Sequence, residues 1–187
     1  MSSCNCRTCD FFLFGDLPVK NKSLLPDLVP VVTAGAVVMV DQFTKFWIMA
    51  QFALYEQLEI IPGFFNLVYV TNTGAAFGML AGSRTWLRQA FFVTVAIVAL
   101  VIIIFAYGHL KKQAKIFVYA LGLIGGGAIG NLIDRVRFGS VVDFLDFYFG
   151  TYHWPAFNVA DSAITTGVGL FFLGSFLQHR KEKREMP

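Results

Sequence analysis

The sequence predicts a membrane protein, mainly α-helical: a four-transmembrane-helix bundle with a small extracytoplasmic β-sheet and an amphipathic surface segment over the helix ends. Three observations predict it. Of the 187 residues, 56% are hydrophobic and only 14% charged, where a soluble domain averages about a quarter charged. Four apolar runs are each long enough to cross a bilayer, which takes about 17–25 helical residues. The basic residues are gathered on alternate connections between those runs, the asymmetry that membrane insertion imposes. The net charge of +3 is too small to argue for nucleic acid.

Residues 1–27 are mixed and polar and read as a loose, disordered cytoplasmic extension. The first long apolar run begins too late for a secretory signal, and no small-residue cleavage site precedes it. All three cysteines, Cys4, Cys6 and Cys9, lie in this extension. Three thiols without a nearby fourth ligand are a weak zinc pattern, and they read as reduced thiols in a tail. No disulfide holds the fold, since no cysteine occurs in its body.

The membrane domain spans 28–179. Its first run is Leu28–Ile48, the second Ala90–Tyr107, the third Ile116–Ile133 and the fourth Val159–Leu177. The second contains VTVAIVALVIIIF, free of polar groups apart from one threonine, and is expected to face lipid. The third carries Gly122, Gly125, Gly126, Gly127 and Gly130. Glycines let membrane helices approach closely, so this helix is expected at the centre. Between the first two runs, Phe64–Val70 follows a Pro62–Gly63 turn and is rich in β-branched and aromatic residues, as strands are. Residues 180–187 form a basic cytoplasmic tail.

Orientation follows from charge. Arg7, Lys20, Lys22, Lys111, Lys112, Lys115, Arg180, Lys181, Lys183 and Arg184 fall on one side, ten of the fifteen basic residues. That side is cytoplasmic by the positive-inside rule and holds both termini. The segments Gln51–Leu87 and Asp134–Phe157 are then extracytoplasmic. Trp86 and Trp154 fall near the outer boundary, where amphipathic rings prefer to sit.

The chemistry-bearing residues cluster in Asn131–Phe147 and just beyond it. Carboxylates among Val, Leu and Phe are costly and need a partner, a proton or a function. Asp143, in Val141-Val142-Asp143-Phe144, has apolar neighbours that would raise its pKa. Asn158 and Asp161 open the fourth run; helix capping alone would explain both. Asp143 and Asp161 are read as meeting at the membrane surface, where two carboxylates share a proton and work as general base and general acid. Asp41 and Lys45, at i and i+4, form an ion pair or line a polar cavity, and the two are compatible. Asp134 beside Arg135 reads as a structural salt bridge. Arg135 or Arg137 could hold a lipid phosphate. Asn72 and Gly74 belong to a turn of small residues. Asp146 is ranked as a bystander and His153 as an interface residue in a wet loop. There is no HExxH, Ser140 and Ser162 have no evident base, and nothing suggests a metal or other cofactor.

Five blocks carry a resemblance: Asp41-Gln42-Phe43-Thr44-Lys45, Asn72-Thr73-Gly74-Ala75-Ala76-Phe77, Gly130-Asn131-Leu132-Ile133-Asp134-Arg135, Val141-Val142-Asp143-Phe144 and Phe157-Asn158-Val159-Ala160-Asp161-Ser162-Ala163. In order and in register, over about Leu28 to Gln178, they resemble the signature blocks of lipoprotein signal peptidase (signal peptidase II). The resemblance implies an aspartic endopeptidase of the bacterial inner membrane that removes the signal peptide from prolipoproteins. It would cut just before a cysteine carrying diacylglyceryl. It implies Asp143 and Asp161 as the catalytic pair and Asn72, Asn131, Arg135 and Asn158 in the active site, with Gly74 beside Asn72. Asp41, Lys45 and Asp134 form its supporting polar shell. It also implies a β-cradle and a periplasmic helix. The expected partners are the lipidated prolipoprotein and membrane lipid, and the protein is expected to be a monomer. Two other classes stand beside this one: a proton-coupled transporter, which would need acids through the bilayer's depth, and a structural assembly protein packed through its glycine-rich helix.

Overall fold

The computed structural model describes residues 25–74 and 86–185. The expectations about the cysteine-bearing extension and about Ala75–Phe77 fall outside those residues. In chain order the elements are α1 (Leu25–Gln51), β1 (Gln57–Ile61), β2 (Phe65–Asn72), α2 (Trp86–Leu110), α3 (Lys115–Phe138), β3 (Val141–Phe149), β4 (Tyr152–His153) and α4 (Val159–Glu185). The helices are 24 to 27 residues long. At about 1.5 Å per residue they exceed the roughly 30 Å hydrocarbon core.

Two of the apolar runs take opposite places. None of the described residues of α2 is buried, so it presents its Val, Ile and Phe side chains outward, as a lipid-facing helix does. By contrast α3 packs against α1, α2 and α4, and its five expected glycines are reached by neighbours. A Cβ added to Gly126 would lie 2.8 Å from the Ala34 carbonyl oxygen of α1, and one on Gly127 would overlap the Ala160 carbonyl oxygen of α4. Bare backbone on both flanks is what lets α1 and α4 close on α3, where lipid offers little hydrophobic drive for association.

The four strands form one antiparallel sheet in the order β1-β2-β3-β4. The β1–β2 hairpin turns at Gly63, whose φ of 76° is the left-handed region where a Cβ is penalised. In β2–β3, Val70 pairs with Asp143 and Asn72 with Val141, after an irregularity between Leu67 and Val70. Beyond β4, Phe157 exchanges backbone hydrogen bonds with Leu145: its N–H donates to the Leu145 carbonyl at 3.1 Å and its own carbonyl accepts from Leu145 N–H at 2.9 Å. That bridge ties the start of α4 to the middle of β3.

The expected four-helix bundle and small sheet are both present. The helices run further than the apolar stretches. α3 continues to Phe138, so Asp134–Phe138 is helical. The charges do not stop the helix, since arginine is a good helix former, and Asp134 and Arg135 find partners on other segments. Gly139 stops it, at φ 71°, with its N–H donating to the Arg135 carbonyl, a left-handed cap. α4 likewise carries its basic residues 180–184 inside the helix, where cations suit the C-terminal dipole. The strand expected over Phe64–Val70 is β2, Phe65–Asn72. β1, β3 and β4 were not foreseen as strands. The expected amphipathic surface segment is not among the elements above, and residues 75–85 lie outside the described ones.

Candidate active site

The first turn of α4 gathers the site. Asn158, fully buried, is the residue before the helix, and its Oδ1 accepts the Asp161 N–H at 2.9 Å, an N-cap bond. Its Nδ2 meanwhile donates to Asp143 Oδ1 at 2.7 Å and contacts the Val142 carbonyl at 3.1 Å. One asparagine therefore caps the helix that carries Asp161 and holds the carboxylate of Asp143. Capping and site-building are the same set of bonds. On the other side, Asn131 of α3 donates from Nδ2 to Asp161 Oδ1 at 2.8 Å. Asp143 and Asp161 line a single cavity of about 770 Å³, with Asn72, Gly74, Asn131 and Arg135 also in its wall.

A buried ionic cluster lies beneath. Lys45 Nζ sits 2.8 Å from Asp41 Oδ2 and 2.8 Å from Asp134 Oδ2, and all three side chains are at most 1% exposed. Lys45 also donates to Asn131 Oδ1 at 3.2 Å. Gln42 Nε2 donates to Asp134 Oδ1 at 2.9 Å. The acids grip backbone as well: Asp41 Oδ1 accepts the Ala160 N–H at 2.9 Å, and Asp134 Oδ2 accepts the Val142 N–H at 3.1 Å. Each gripped amide belongs to the residue just before one of the two cavity aspartates. A lysine between two acids, with their other lone pairs filled by N–H groups, is how charge is tolerated out of water.

Asp134 thus pairs with Lys45 and not with its neighbour Arg135. Successive residues on a helix point about 100° apart, so the two face different elements. Arg135 donates from Nη2 to the Gly74 carbonyl at 2.8 Å, and its guanidinium lies over the Phe92 ring of α2, 4.2 Å from the centroid. That placement holds Arg135 at the cavity wall. Asn72 is the last residue of β2; its Oδ1 accepts the Gly74 N–H at 2.9 Å, and its side chain also bonds Asp143.

Asp143 is pushed up from the usual carboxylate range to about 7, first by burial and then by the neighbouring Asp161 charge. Hydrogen bonds from Asn158 and Asn72 and the Lys45 charge oppose the rise. A carboxyl that keeps its proton near neutrality can donate it while a second, ionised carboxylate accepts one. Ser162 is no rival nucleophile, since its hydroxyl donates to the Asn158 carbonyl at 2.9 Å. Among the described residues no group of three or more His, Cys, Asp or Glu side chains is gathered to hold a metal ion.

The profile of the family described as signal peptidase (SPase) II matches residues 33–177. The chain belongs to that family. It is 48% identical over 158 residues to the lipoprotein signal peptidase of Syntrophus aciditrophicus, covering 84% of this chain and 98% of that one. To the lipoprotein signal peptidase of Syntrophotalea carbinolica it is 52% identical over 143 residues, 76% of this chain and 88% of the relative. A solved structure described as a bacterial membrane enzyme, determined by the in meso method, superposes with a TM-score of 0.72 at 34% identity. It covers 84% of this chain and 93% of its own. Family membership makes the protein a peptidase, and with its four apolar helices a multi-pass bacterial membrane protein.

Sequence reasoning missed three residues that the structure ties into polar networks. Gln42 sits inside a recognised block yet was passed over for its charged neighbours. Asp146 was ranked a bystander but is buried and bonded to Asn66 Nδ2 at 3.0 Å. His153 was placed in a wet loop but lies on β4 with Nδ1 3.0 Å from Asp146. The alternation of β3, which puts Asp143 and Asp146 on opposite sheet faces, was the signal that could have found the last two.

Proposed function

We propose that the protein is a lipoprotein signal peptidase of aspartic type, which cuts prolipoproteins just before the diacylglyceryl-modified cysteine. The observation that carries this reading is the shared cavity: Asp143 and Asp161 line it together, each held by an asparagine that also contacts the other asparagine. Both termini lie in the cytoplasm, since the basic residues cluster on that side, and the cavity then opens at the extracytoplasmic face. The substrate's signal helix stays in the membrane, its acyl chains stay in the leaflet, and its scissile bond reaches the helix ends. The enzyme works as a monomer.

In this mechanism Asp143 carries the shared proton and Asp161 is ionised. Asp161 takes a proton from a water, whose oxygen adds to the carbonyl carbon of the residue before the lipidated cysteine. Asp143 gives its proton to the carbonyl oxygen, leaving a tetrahedral diol. Asp161 then returns its proton to the amide nitrogen as the C–N bond breaks, and Asp143 recovers one from the collapsing diol. Arg135 and Asn72, at the wall, hold the substrate backbone as charge develops on the carbonyl oxygen.

The test uses purified protein in detergent with a diacylglyceryl-modified precursor and its unlipidated form. Wild type should cleave the lipidated precursor. Asp143→Asn and Asp161→Asn should each lose about 10³-fold or more in rate while melting no lower than wild type. A well-folded variant that cleaves at the normal rate would end the dyad reading.

A further inference from the structure

The face of the sheet turned away from Asp143 carries a second polar group that the proposed reaction leaves unused. Glu59, Asn66 and Asp146 stand in register across β1, β2 and β3. Asp146 is 6% exposed, so its carboxylate depends on partners. Asn66 supplies one bond, and His153 supplies the other, with Nδ1 3.0 Å from each Asp146 oxygen. The imidazole also stacks on Tyr148, centroids 4.9 Å apart and planes at 8°, and the Tyr148 hydroxyl donates to Glu59. His153 is thus fastened from below by Asp146 and from the side by Tyr148, with half of its side chain left in contact with solvent.

Its place in the chain gives the fastening a consequence. β4 is only two residues long, and it feeds directly into Trp154, Pro155, Ala156 and Phe157, all of which line the cavity. This strap is pinned at its start by the Trp154 N–H, which donates to the Phe147 carbonyl at 2.7 Å, and at its end by the Phe157–Leu145 exchange. So short a strand has little ladder of its own, pairing only Tyr148 with His153 and Phe149 with Tyr152. The His153–Asp146 bond is a side-chain tie that holds the upstream end of the strap against β3.

We propose that His153 and Asp146 form a clasp that sets the Trp154–Phe157 wall of the cavity, making His153 a positioning residue for substrate binding. The proposal rests on the reading of the cavity as the peptidase site. The groups facing it are Asp146 and Tyr148 on β3 and, beyond the Tyr148 hydroxyl, Glu59 on β1. A carboxylate with so little solvent depends on the bonds the protein gives it, so the imidazole that bonds Asp146 is held in one place.

The experiment measures kcat and KM for the lipidated precursor with wild type, His153→Ala, Asp146→Asn and His153→Asn. Asparagine places an amide donor where Nδ1 stood. His153→Ala should raise KM about five- to tenfold with kcat within about twofold, an interaction-sized loss. His153→Asn should restore most of that KM. The double variant His153→Ala/Asp146→Asn should cost no more than either change alone, as expected for two members of one contact. Should His153→Ala fold poorly, as judged by its melting curve, Asp146→Asn takes its place, and its KM should rise with kcat within about twofold. An unchanged KM in a well-folded His153→Ala or Asp146→Asn, or a KM that His153→Asn fails to restore, would overturn the clasp while leaving the peptidase reading standing. Absence of cleavage by wild type would overturn both.

Discussion

Two polar clusters lie on opposite sides of the site, and they are built on different terms. The inner one, Asp41–Lys45–Asp134 with Gln42, is sealed among α1, α3 and the start of α4. The outer one, Glu59–Tyr148–His153–Asp146–Asn66, crosses all four strands at the rim of the sheet, with only Asp146 and Asn66 buried. Both join side chains far apart in sequence. Charges without water have no alternative partner, so the inner cluster is costly to break and fixes positions rigidly. Exposed groups can return to solvent, so the outer contacts of Glu59, Tyr148 and His153 are worth little to stability and can yield. A site that needs two immobile carboxylates and an adaptable wall uses each kind where its physics suits.

The comparison is broken most severely by Lys45→Met. Removing the cation that bridges Asp41 and Asp134 strands two buried acids, which should destabilise the protein by about 3–5 kcal/mol and release the Ala160 and Val142 amides from their acceptors. Thermal unfolding in detergent checks this, and a Tm close to wild type would mean that the cluster is not sealed.

Asp143→Asn should act in the other direction. The folded-state pKa of Asp143, about 7, lies above its ordinary 3.8, so the folded protein holds this proton where the unfolded chain has lost it. That contribution is fully present below about pH 4 and is lost as pH rises toward 7. Asparagine keeps the oxygen that Asn158 bonds and has no proton to lose. The variant should be inactive yet more stable than wild type at pH 8, by an amount on the order of 2–4 kcal/mol, with the gain shrinking to nothing near pH 4. Melting curves of the two proteins across that range would reveal parallel pH dependences if the assignment is wrong.

Gly130→Ala probes the inner cluster from its edge. The added Cβ would lie 2.6 Å from Asp41 Oδ2, pushing Asp41 away from the Ala160 amide. A loss of about 1–3 kcal/mol is expected from such overpacking. A fall in kcat with little change in KM would mark it as a disturbance of Asp161 and not of substrate binding.

Tyr148→Phe should have the smallest effect. Glu59 is held below its ordinary value chiefly by the Tyr148 hydroxyl and then by the Gly63 N–H. The stability this contributes is present above the ordinary pKa of 4.5 and is lost as pH falls below it. The variant should melt within about 2 °C of wild type at pH 7, as exposed polar contacts do, and should differ in pH dependence only at the acid end. A large drop in Tm at neutral pH would show that the outer cluster is structural in the same sense as the inner one.

Much of this was legible because it depends on local pattern. The four spans follow from apolar length, and the central place of α3 follows from Gly122, Gly126, Gly127 and Gly130, since only a helix pressed from both sides gains from losing its side chains. Asp41 and Lys45 were readable as a pair from their i, i+4 spacing. The pairing of Asp134 was not. Adjacent charges in a sequence suggest a bond, but on a helix they diverge, and the lysine that meets Asp134 is 89 residues away. β3 was hidden for a related reason: its acids resembled interruptions of an apolar run until the sheet gave each face a partner.

By itself the sequence determined that the chain must live in a bilayer, how many times it crosses and which helix lies at the centre. These follow from transfer of apolar residues out of water and from the close approach that glycine permits, both summed over contiguous residues. The tertiary structure alone decided that Asn158 reaches Asp143 and Asp161 together, that Lys45 sits between two acids, and that His153 closes on Asp146. Hydrogen bonds and ion pairs act over about 3 Å, a distance that only the closed bundle and the folded sheet bring about.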